Sequence, residues 1–576
     1  MTVDLNGPNY AAAAGPIFRA VWDDAAPPEL FAPASEERES PEVEATMRAS
    51  LEVLRGRREA GSLYEADGRL AADLLQGDLA RAGYWGLLIP QQYGGSGATL
   101  SQYARFLTRV ATIDGSVANL LSVHSCLGPG GVVRNFGSDE QRGRWLPLLA
   151  RGERLGVFAM TEPQAGSDLT AIATRAELAG EVFRVTGEKV FITNLAPGRV
   201  AALVCRVEGR PAVLIAQLPD GDTDAVRFLD YGIHAARRSG NRGMRLSGFE
   251  VSRHDQVTPA RGDGLTIAYH GLNQGRMSLC AVAAGTLRRI LAALLPWVRT
   301  RRTYGAPIGS RELVQRRIGR LASLIVGCDA LAAWCASLLD QGYRGELECI
   351  VAKVFAAEAL KEAAIELALR TFGGRAFLHG NLIGDSLHDL LAPCIYEGES
   401  ELLGLSLLRS LCKQAPAKAA SGWISKSRDL LPSSESRRAR PEGDLEFGFY
   451  QGAAVAVEQL RMVGKGIRLS IEKLGTCSPF FDSSEPSWSP EEVERASRLI
   501  VRHSVLACVG WHVKSHASRI NILAARCLED YRRGEQEGSG QHSVDLGQQI
   551  IHSGWEELEG VPCDAGAELV AFNVSY

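Results

Sequence analysis

The 576-residue sequence lacks the motifs that mark several common classes of protein. No C-x-x-C pair occurs among its 12 cysteines, which argues against a zinc site or a thiol–disulfide redox motif and favours buried, reduced thiols. The sequence has no Walker-type loop and no G-x-G-x-x-G opening a helix after a strand, so it does not predict nucleotide binding by a P-loop or a Rossmann fold. We predict no metal site.

The chain also lacks a large excess of either charge and a long uninterrupted apolar run. Its 63 basic and 67 acidic residues give a formal charge of -4, which argues against nucleic acid as a partner. The N-terminus shows no basic region followed by an apolar core, so no signal peptide is predicted. Arg288 and Arg289 interrupt the most apolar stretch, which is therefore not a simple membrane span. These features predict a globular, cytoplasmic protein.

Changes in composition divide the chain into six regions. An Ala-, Pro- and acid-rich start predicts a flexible tail, and leucines at three- and four-residue steps predict helices after it. Short β-rich runs punctuated by glycine then predict a β-domain, followed by helices that are apolar on most sides, as in a bundle. The predicted regions are the tail 1–40, a helical domain 41–154, the β-domain 155–262, the bundle 263–412, a basic linker 413–444 and a further helical domain 445–576.

The linker 413–444 is rich in Lys, Arg and Pro. We interpret it as a solvated connection in preference to a surface that meets acidic lipid or a carrier protein. The domain after it is expected to shield part of the protein surface.

Glu397 is a candidate catalytic base. It lies between Tyr396 and Gly398, after the mainly apolar run 390–394. Burial raises the pKa of a carboxyl group and makes it a usable base near neutral pH. From this segment alone, an exposed loop glutamate is the alternative.

Two segments of the β-domain carry groups suited to a flat heterocycle. In 158–168, small residues with Thr161 and Ser167 offer backbone N–H groups and hydroxyls that can bind a ring edge or a phosphate. Further on, Phe191 and Thr193 share one face of a predicted strand, which places an aromatic for stacking beside a hydroxyl. A structural turn and ordinary strand packing are the respective alternatives.

Five motifs taken together resemble the acyl-CoA dehydrogenase family. They keep the family's order and spacing within residues 45–412: Met160-Thr161-Glu162-Pro163-x-Ala165-Gly166-Ser167-Asp168, Phe191-Ile192-Thr193-Asn194, Arg301-x-x-Tyr304-Gly305-x-Pro307-Ile308, Phe372-Gly373-Gly374 and Tyr396-Glu397-Gly398. The chain looks most like the very-long-chain branch, which also has an extra C-terminal helical domain. The resemblance implies a mainly α fold with a central β-barrel domain, set between an N-terminal helical domain and a C-terminal four-helix bundle.

The resemblance also implies FAD as cofactor, held between the β-domain and the bundle. By similarity, the flavin ring would be contacted by Met160, Thr161, Phe191 and Thr193, and its diphosphate or the substrate thioester by Gly166 and Ser167. The ADP half would be held from a neighbouring subunit, which implies a homodimer, by Arg301, Tyr304, Gln315, Gly373 and Gly374. Arg301 can neutralise phosphate charge, and paired glycines let a backbone approach closely.

The implied reaction is the α,β-dehydrogenation of an acyl-CoA or acyl-carrier-protein thioester. Glu397 would remove the α-proton while the β-hydrogen leaves as hydride to flavin N5, giving the trans-2-enoyl thioester. Electron-transfer flavoprotein or another acceptor would take the electrons. Substrate contacts would come from Ser167, Arg276, Tyr396 and Gly398. In another branch of the family, the glutamate that acts as the base stands at the position of Gly275. Because this chain has glycine there, Glu397 is the remaining candidate for the base.

Several positions depart from the family pattern, mostly in the segment that grips adenosine: Arg370, Ala376, His388, Glu399 and Glu401. These differences predict a weaker affinity for the flavin and suggest that the protein is a specialised, biosynthetic member of the family. A flavin monooxygenase of the same fold, which generally lacks the glutamate base, is one alternative. A non-catalytic scaffold that binds acyl-CoA or a partner, with weakened flavin binding, is another.

Overall fold

A computed structural model describes residues 4–5, 7–11, 14–34, 39–413, 453–465, 490–516, 518–530 and 541–562. The architecture is the predicted one, mainly α with a central β-domain. The first helices are α1 (Pro16–Trp22), α2 (Pro41–Glu59), α3 (Leu79–Arg81), α4 (Leu100–Ile113), α5 (Gly115–Ser122), α6 (Pro129–Phe136) and α7 (Asp139–Ala150).

Capping interactions define where these helices begin. Thr99 and Gln102 form a reciprocal capping box at the start of α4, and Ser138 and Gln141 form another at α7. A π-helical turn over Val123–Leu127 joins α5 to α6. Helix α6 begins at Pro129, because proline is suited to the first turn of a helix.

The β-domain is an eight-stranded sheet with the order β6-β7-β3-β2-β4-β5-β8, and β1 pairs in parallel with β4. The strands are β1 (Gly156–Ala159), β2 (Arg175–Ala179), β3 (Val182–Ile192), β4 (Val200–Val207), β5 (Arg210–Gln217), β6 (Val226–Leu229), β7 (Arg242–Ser252) and β8 (Gln256–Val257). Val200 and Ala202 of β4 pack towards the helices, whereas Ala201 and Leu203 pack inside the β-domain. This strand is therefore buried on both faces, consistent with its continuous apolar sequence.

The C-terminal bundle comprises α8 (Gly264–Thr300), α9 (Glu312–Asp340), α10 (Glu346–Glu362), α11 (Arg370–Phe372), α12 (Leu382–Leu391) and α13 (Ser400–Lys413). A small hairpin of β9 (Arg302–Thr303) and β10 (Ala306–Pro307) follows α8. Helices α8 and α9 are long and apolar enough to span a membrane, yet 89% of the most apolar window of each is buried inside the protein. Core helices of a globular bundle have the same character.

The N-terminal region differs from the predicted flexible tail. Helix α1 buries Ile17, Phe18, Val21 and Trp22 in the main core. The backbone N–H of Ile17 donates to Glu348 of α10 at 3.0 Å. The composition concealed this helix, since its apolar side chains occupy a single short segment among alanines and prolines. Their spacing, however, is helical.

Further helices follow the bundle: α14 (453–465), α15 (Pro490–Ser515), α16 (Arg519–Asp530) and α17 (Gln541–Ser553). The predicted linker lies outside the described residues except for Lys413. Helix α17 packs backbone to backbone on α9, since a Cβ at Gly547 would lie 1.8 Å from the carbonyl oxygen of Gln315. Arg288 of α8 forms ion pairs with Asp329 and with Glu557 beyond α17. The described C-terminal helices thus continue the core of the bundle.

Candidate active site

The loop after β1 is anchored to β3 by a buried ion pair. Lys189 donates to the carboxylate of Glu162 at 2.7 Å and to the carbonyl oxygen of Met160 at 2.9 Å. Burial alone would raise the pKa of Glu162, but the Lys189 ammonium and backbone donors lower it below its usual value. The sequence analysis did not identify this pair, although the alternation of β3 points Lys189 into the core.

The residues predicted to contact a flavin ring lie around this anchor. Thr161 accepts a hydrogen bond from the backbone of Val190 at 3.0 Å, which holds the loop against β3. Phe191 is 57% exposed and lies edge-on to Tyr231, with ring centroids 5.5 Å apart. Thr193 accepts a hydrogen bond from Asn241 at 3.2 Å. An exposed aromatic beside hydroxyl groups forms an edge that can receive a flat ring.

The tip of the loop approaches α8. Gly166 and Ser167 are exposed, and the next residue, Asp168, caps a short 3₁₀ turn. Burial raises the pKa of Tyr269 on α8, and the charges of both Asp168 and Arg276 act on its phenol. Asp168 of the loop and Arg276 of α8 are thus both close enough to this phenol for their charges to act on it.

A second group of predicted residues gathers around Trp297. The guanidinium groups of Arg301 and Arg375 lie 5.6 Å and 4.9 Å from its ring, and its indole N–H donates to Thr371 at 3.0 Å. This brings Arg301 to the segment that carries Gly373 and Gly374. Both glycines are exposed, and within the described part of the chain a Cβ at either would meet no atom within 4 Å.

Tyr304 and Gln315 have different surroundings. Tyr304 is 98% exposed. Gln315 is buried, donates to Gly309 at 3.0 Å and accepts from Gln548 of α17 at 3.1 Å. The structure does not place Gln315 at the surface with the other residues predicted to hold the ADP half, because α17 covers it. Trp297, Arg375 and Gln548 were not identified from the sequence.

Glu397 occupies a turn in the left-handed region, with φ 56°, and Gly398 follows with φ 107°. This conformation is unfavourable for a glutamate and is stabilised by its surroundings. The Oε2 atom is buried and has no hydrogen-bond partner among the residues that the structure describes. A Cβ at Gly275 of α8 would lie 2.9 Å from this oxygen and 3.0 Å from the side chain of Leu127. The carboxylate thus occupies the space that glycine leaves open.

Leu127, whose side chain lies beside Gly275, belongs to the same hydrophobic cluster as Met160 of the loop after β1.

Burial raises the pKa of Glu397 to about 7, against the lowering effect of the positive charges of Arg276 and Lys353. Burial also lowers the pKa of Lys353 to about 8. At neutral pH a carboxyl with such a pKa can take up a proton and release it.

The remaining residues predicted to contact substrate surround the same turn. Arg276 is buried and donates from Nε to the backbone oxygen of Glu397 at 3.1 Å and from a terminal nitrogen to Asn273 at 3.2 Å. Tyr396 is 36% exposed, and burial of its phenol raises its pKa well above the usual value. Arg276 is thus engaged with the backbone that carries the carboxylate.

Glu399, which departs from the family pattern, caps a helix. Its carboxylate accepts the backbone N–H groups of Glu401 and Leu402, at 3.1 Å and 2.9 Å, at the start of α13. Backbone donors and the positive end of the helix stabilise a carboxylate at this position. The charge of Glu399 is therefore compensated within the chain, while Glu401 is exposed.

The other departures also have local partners. Arg370 pairs with Glu366 one helical turn earlier at 2.7 Å. Ala376 is buried. His388 stacks on His234 with ring centroids 4.9 Å apart. None of these contacts fills the space beside Gly373 and Gly374.

The residues present fit FAD. Phe191 offers an exposed aromatic edge at the β-domain, Arg301 and Arg375 offer cations near Trp297, and Gly373 and Gly374 leave open backbone in the same segment as Arg375. The departures at Arg370 and Glu399 engage residues of their own segments.

Helical domains precede and follow the β-domain, and a buried carboxylate oxygen lies beside α8. This arrangement is the one that the resemblance implies for a flavin-dependent oxidoreductase. Domain profiles of one family match the chain: "Acyl-CoA dehydrogenase, N-terminal domain" at residues 52–153, the middle domain at 157–266 and the C-terminal domain at 262–412. The chain belongs to the acyl-CoA dehydrogenase family, whose members are flavoproteins that bind FAD. The predicted family, fold class and cofactor are confirmed.

Individual relatives agree with this assignment. An acyl-CoA dehydrogenase of Bacillus subtilis is 28% identical over 58% of this chain and 88% of its own length. The mouse mitochondrial very long-chain specific acyl-CoA dehydrogenase is 28% identical over 69% of this chain but only 60% of its own length. The structure of an acyl-CoA dehydrogenase complexed with FAD from Bacillus anthracis has a TM-score of 0.72 at 18% identity. The match with that structure covers 90% of this chain and 96% of the chain from Bacillus anthracis, so the shared fold includes C-terminal helices.

Proposed function

We propose that this protein catalyses the α,β-dehydrogenation of an acyl thioester, with Glu397 as the base. The observation that carries the proposal is the buried, unpartnered Oε2 of Glu397 against Gly275. An acyl α-carbon bears a weakly acidic proton, and a carboxylate with a pKa near neutrality is suited to remove it. A base on this turn favours dehydrogenation over the monooxygenase alternative.

Glu397 takes the α-proton at its carboxylate, a hydride leaves the β-carbon, and a trans double bond forms between the two carbons. Bound FAD supplies the hydride acceptor. The exposed Ser167 and the phenol of Tyr396 are proposed to orient the thioester, and the backbone of Gly398 to lie beside it.

The assembly and the electron acceptor are part of the same proposal. Tyr304 is almost fully exposed and Gly373 has open space beside it, which suits contact with a second copy of the chain. Helix α17 covers one end of α9, so we propose a homodimer in which the C-terminal helices shield that end. Electron-transfer flavoprotein is the proposed acceptor and the cytoplasm the proposed location.

Anaerobic reduction of the bound flavin tests the base. The holoenzyme is mixed with a panel of acyl-CoA and acyl-carrier-protein thioesters, and the bleaching of the flavin absorbance is followed. The thioesters that bleach the flavin also show whether the acyl group is carried by coenzyme A or by a carrier protein. Glu397→Gln should retain the flavin and lose bleaching, because the amide cannot accept the α-proton. Glu401→Gln, an exposed residue nearby, is the matched control and should bleach normally.

Two outcomes would contradict the proposal. Normal bleaching by Glu397→Gln would show that another group is the base. A colourless protein that stays free of added FAD would instead favour the non-catalytic scaffold.

A further inference from the structure

Two buried cations hold the turn that carries Glu397. Arg276, on α8, donates to the backbone oxygen of Glu397 at 3.1 Å. Lys353, on α10, is fully buried and donates from Nζ to the next backbone oxygen, that of Gly398. Successive carbonyl groups of one left-handed turn are thus each bound by a positive charge from a different helix of the bundle.

Lys353 has no carboxylate partner among the contacts of its ammonium in the described structure; it is bound to a neutral carbonyl. A buried lysine in this state is costly, because burial disfavours the charged form. A nearby carboxylate offsets part of that cost, and the acid with the largest electrostatic effect on Lys353 is Glu397. Arg276 is further restrained by Asn273, which itself donates to Arg344 at 3.0 Å.

The rest of the turn is restrained from the other side. Glu399 caps α13 through its side chain, and its backbone oxygen accepts from Leu403 at 2.9 Å. A Cβ at Gly398 would lie 2.8 Å from Leu403. The turn therefore has little room to relax.

We propose that Lys353 is a positioning residue for Glu397: by binding the Gly398 carbonyl it holds the left-handed turn that places the carboxylate against Gly275. This inference rests on the proposed function, since it assigns Lys353 to the base of that reaction. Lys353 touches the backbone and not the reacting atoms. The groups that act electrostatically with Glu397 are Arg276, Lys353, the thiol of Cys126 and the phenol of Tyr396.

The test measures the ionisation of Glu397 without substrate or turnover. Infrared difference spectra across a pH titration report the C=O stretch of protonated carboxyl groups, and the band absent from Glu397→Gln belongs to Glu397. Lys353→Met removes the charge at similar length, so the midpoint of that band should rise by about one pH unit or more. Lys353→Arg keeps the charge and should stay near the wild-type midpoint.

Hydrogen exchange of the turn is the second readout. Peptides covering 396–402 should exchange about tenfold faster in Lys353→Met, as expected when one charge-assisted hydrogen bond is lost. The matched control is Lys361→Met, at the exposed end of the same helix, which should change neither measurement. If Lys353→Met does not fold, Lys353→Gln provides the same loss of charge with a polar side chain.

The outcomes separate this proposal from the proposed function. A wild-type midpoint and wild-type exchange in Lys353→Met would overturn the positioning role, even if Glu397→Gln abolishes flavin bleaching. Normal bleaching by Glu397→Gln would instead overturn the assignment of the base, whatever the effect of Lys353.

Discussion

Replacing Gly275 by alanine should displace the carboxylate of Glu397, the proposed base. The added methyl group would lie 2.9 Å from Oε2 of Glu397 and 3.0 Å from the side chain of Leu127, so the carboxylate must move by about half an ångström to reach an ordinary contact distance. Because a misplacement of about 1 Å in an active site can cost about 100-fold in rate, we expect flavin reduction to slow by about tenfold.

The stability of Gly275→Ala should change much less than its rate. Overpacking costs about 1–3 kcal/mol, and alanine returns about 1 kcal/mol of helix propensity in α8. Urea unfolding should therefore show a loss of at most about 2 kcal/mol. Rapid-mixing absorbance under anaerobic conditions gives the rate.

Gly56→Ala is the matched control for this variant. Gly56 lies in α2, and a Cβ there meets nothing within 4 Å. It should gain about 1 kcal/mol with no change in rate. A wild-type rate of flavin reduction in Gly275→Ala would refute the reasoning, since the carboxylate would then not be confined against this helix.

Two further predictions concern other carboxylates. Burial raises the pKa of Glu348 from 4.5 to about 7, so the folded state binds its proton more tightly and stability from this group falls as the pH rises between those values. Glu348→Gln, which can still accept from Ile17, should remove that fall, a change of at most about 3 kcal/mol between pH 5 and 8 in urea unfolding; equal pH profiles would contradict it. Glu399→Ala should cost about 1 kcal/mol and speed hydrogen exchange at the start of α13, because the N–H groups of Glu401 and Leu402 lose their acceptor; unchanged exchange there would show that Glu399 is not the cap.

Local pattern accounts for much of the fold. The helical and β-rich regions follow from periodicity and composition, since each depends on neighbours within a few residues. Local pattern did not predict the N-terminal helix α1. Its apolar side chains are few, and their burial depends on α10 and the C-terminal helices, which are distant in the sequence. The same limit applies to Gln315, whose surroundings are set by α17, more than two hundred residues away in the chain.

The candidate site shows the same division. The sequence by itself identified Glu397 as the candidate base, and the resemblance to a known family gave the segments expected to bind a flavin, because residue types and spacing can be compared without a structure. Only the tertiary structure decided that the carboxylate of Glu397 lies against Gly275, that Lys189 pairs with Glu162, and that Glu399 caps a helix. A pKa depends on burial and on charges brought near by folding, and neither is visible to a reader of local sequence.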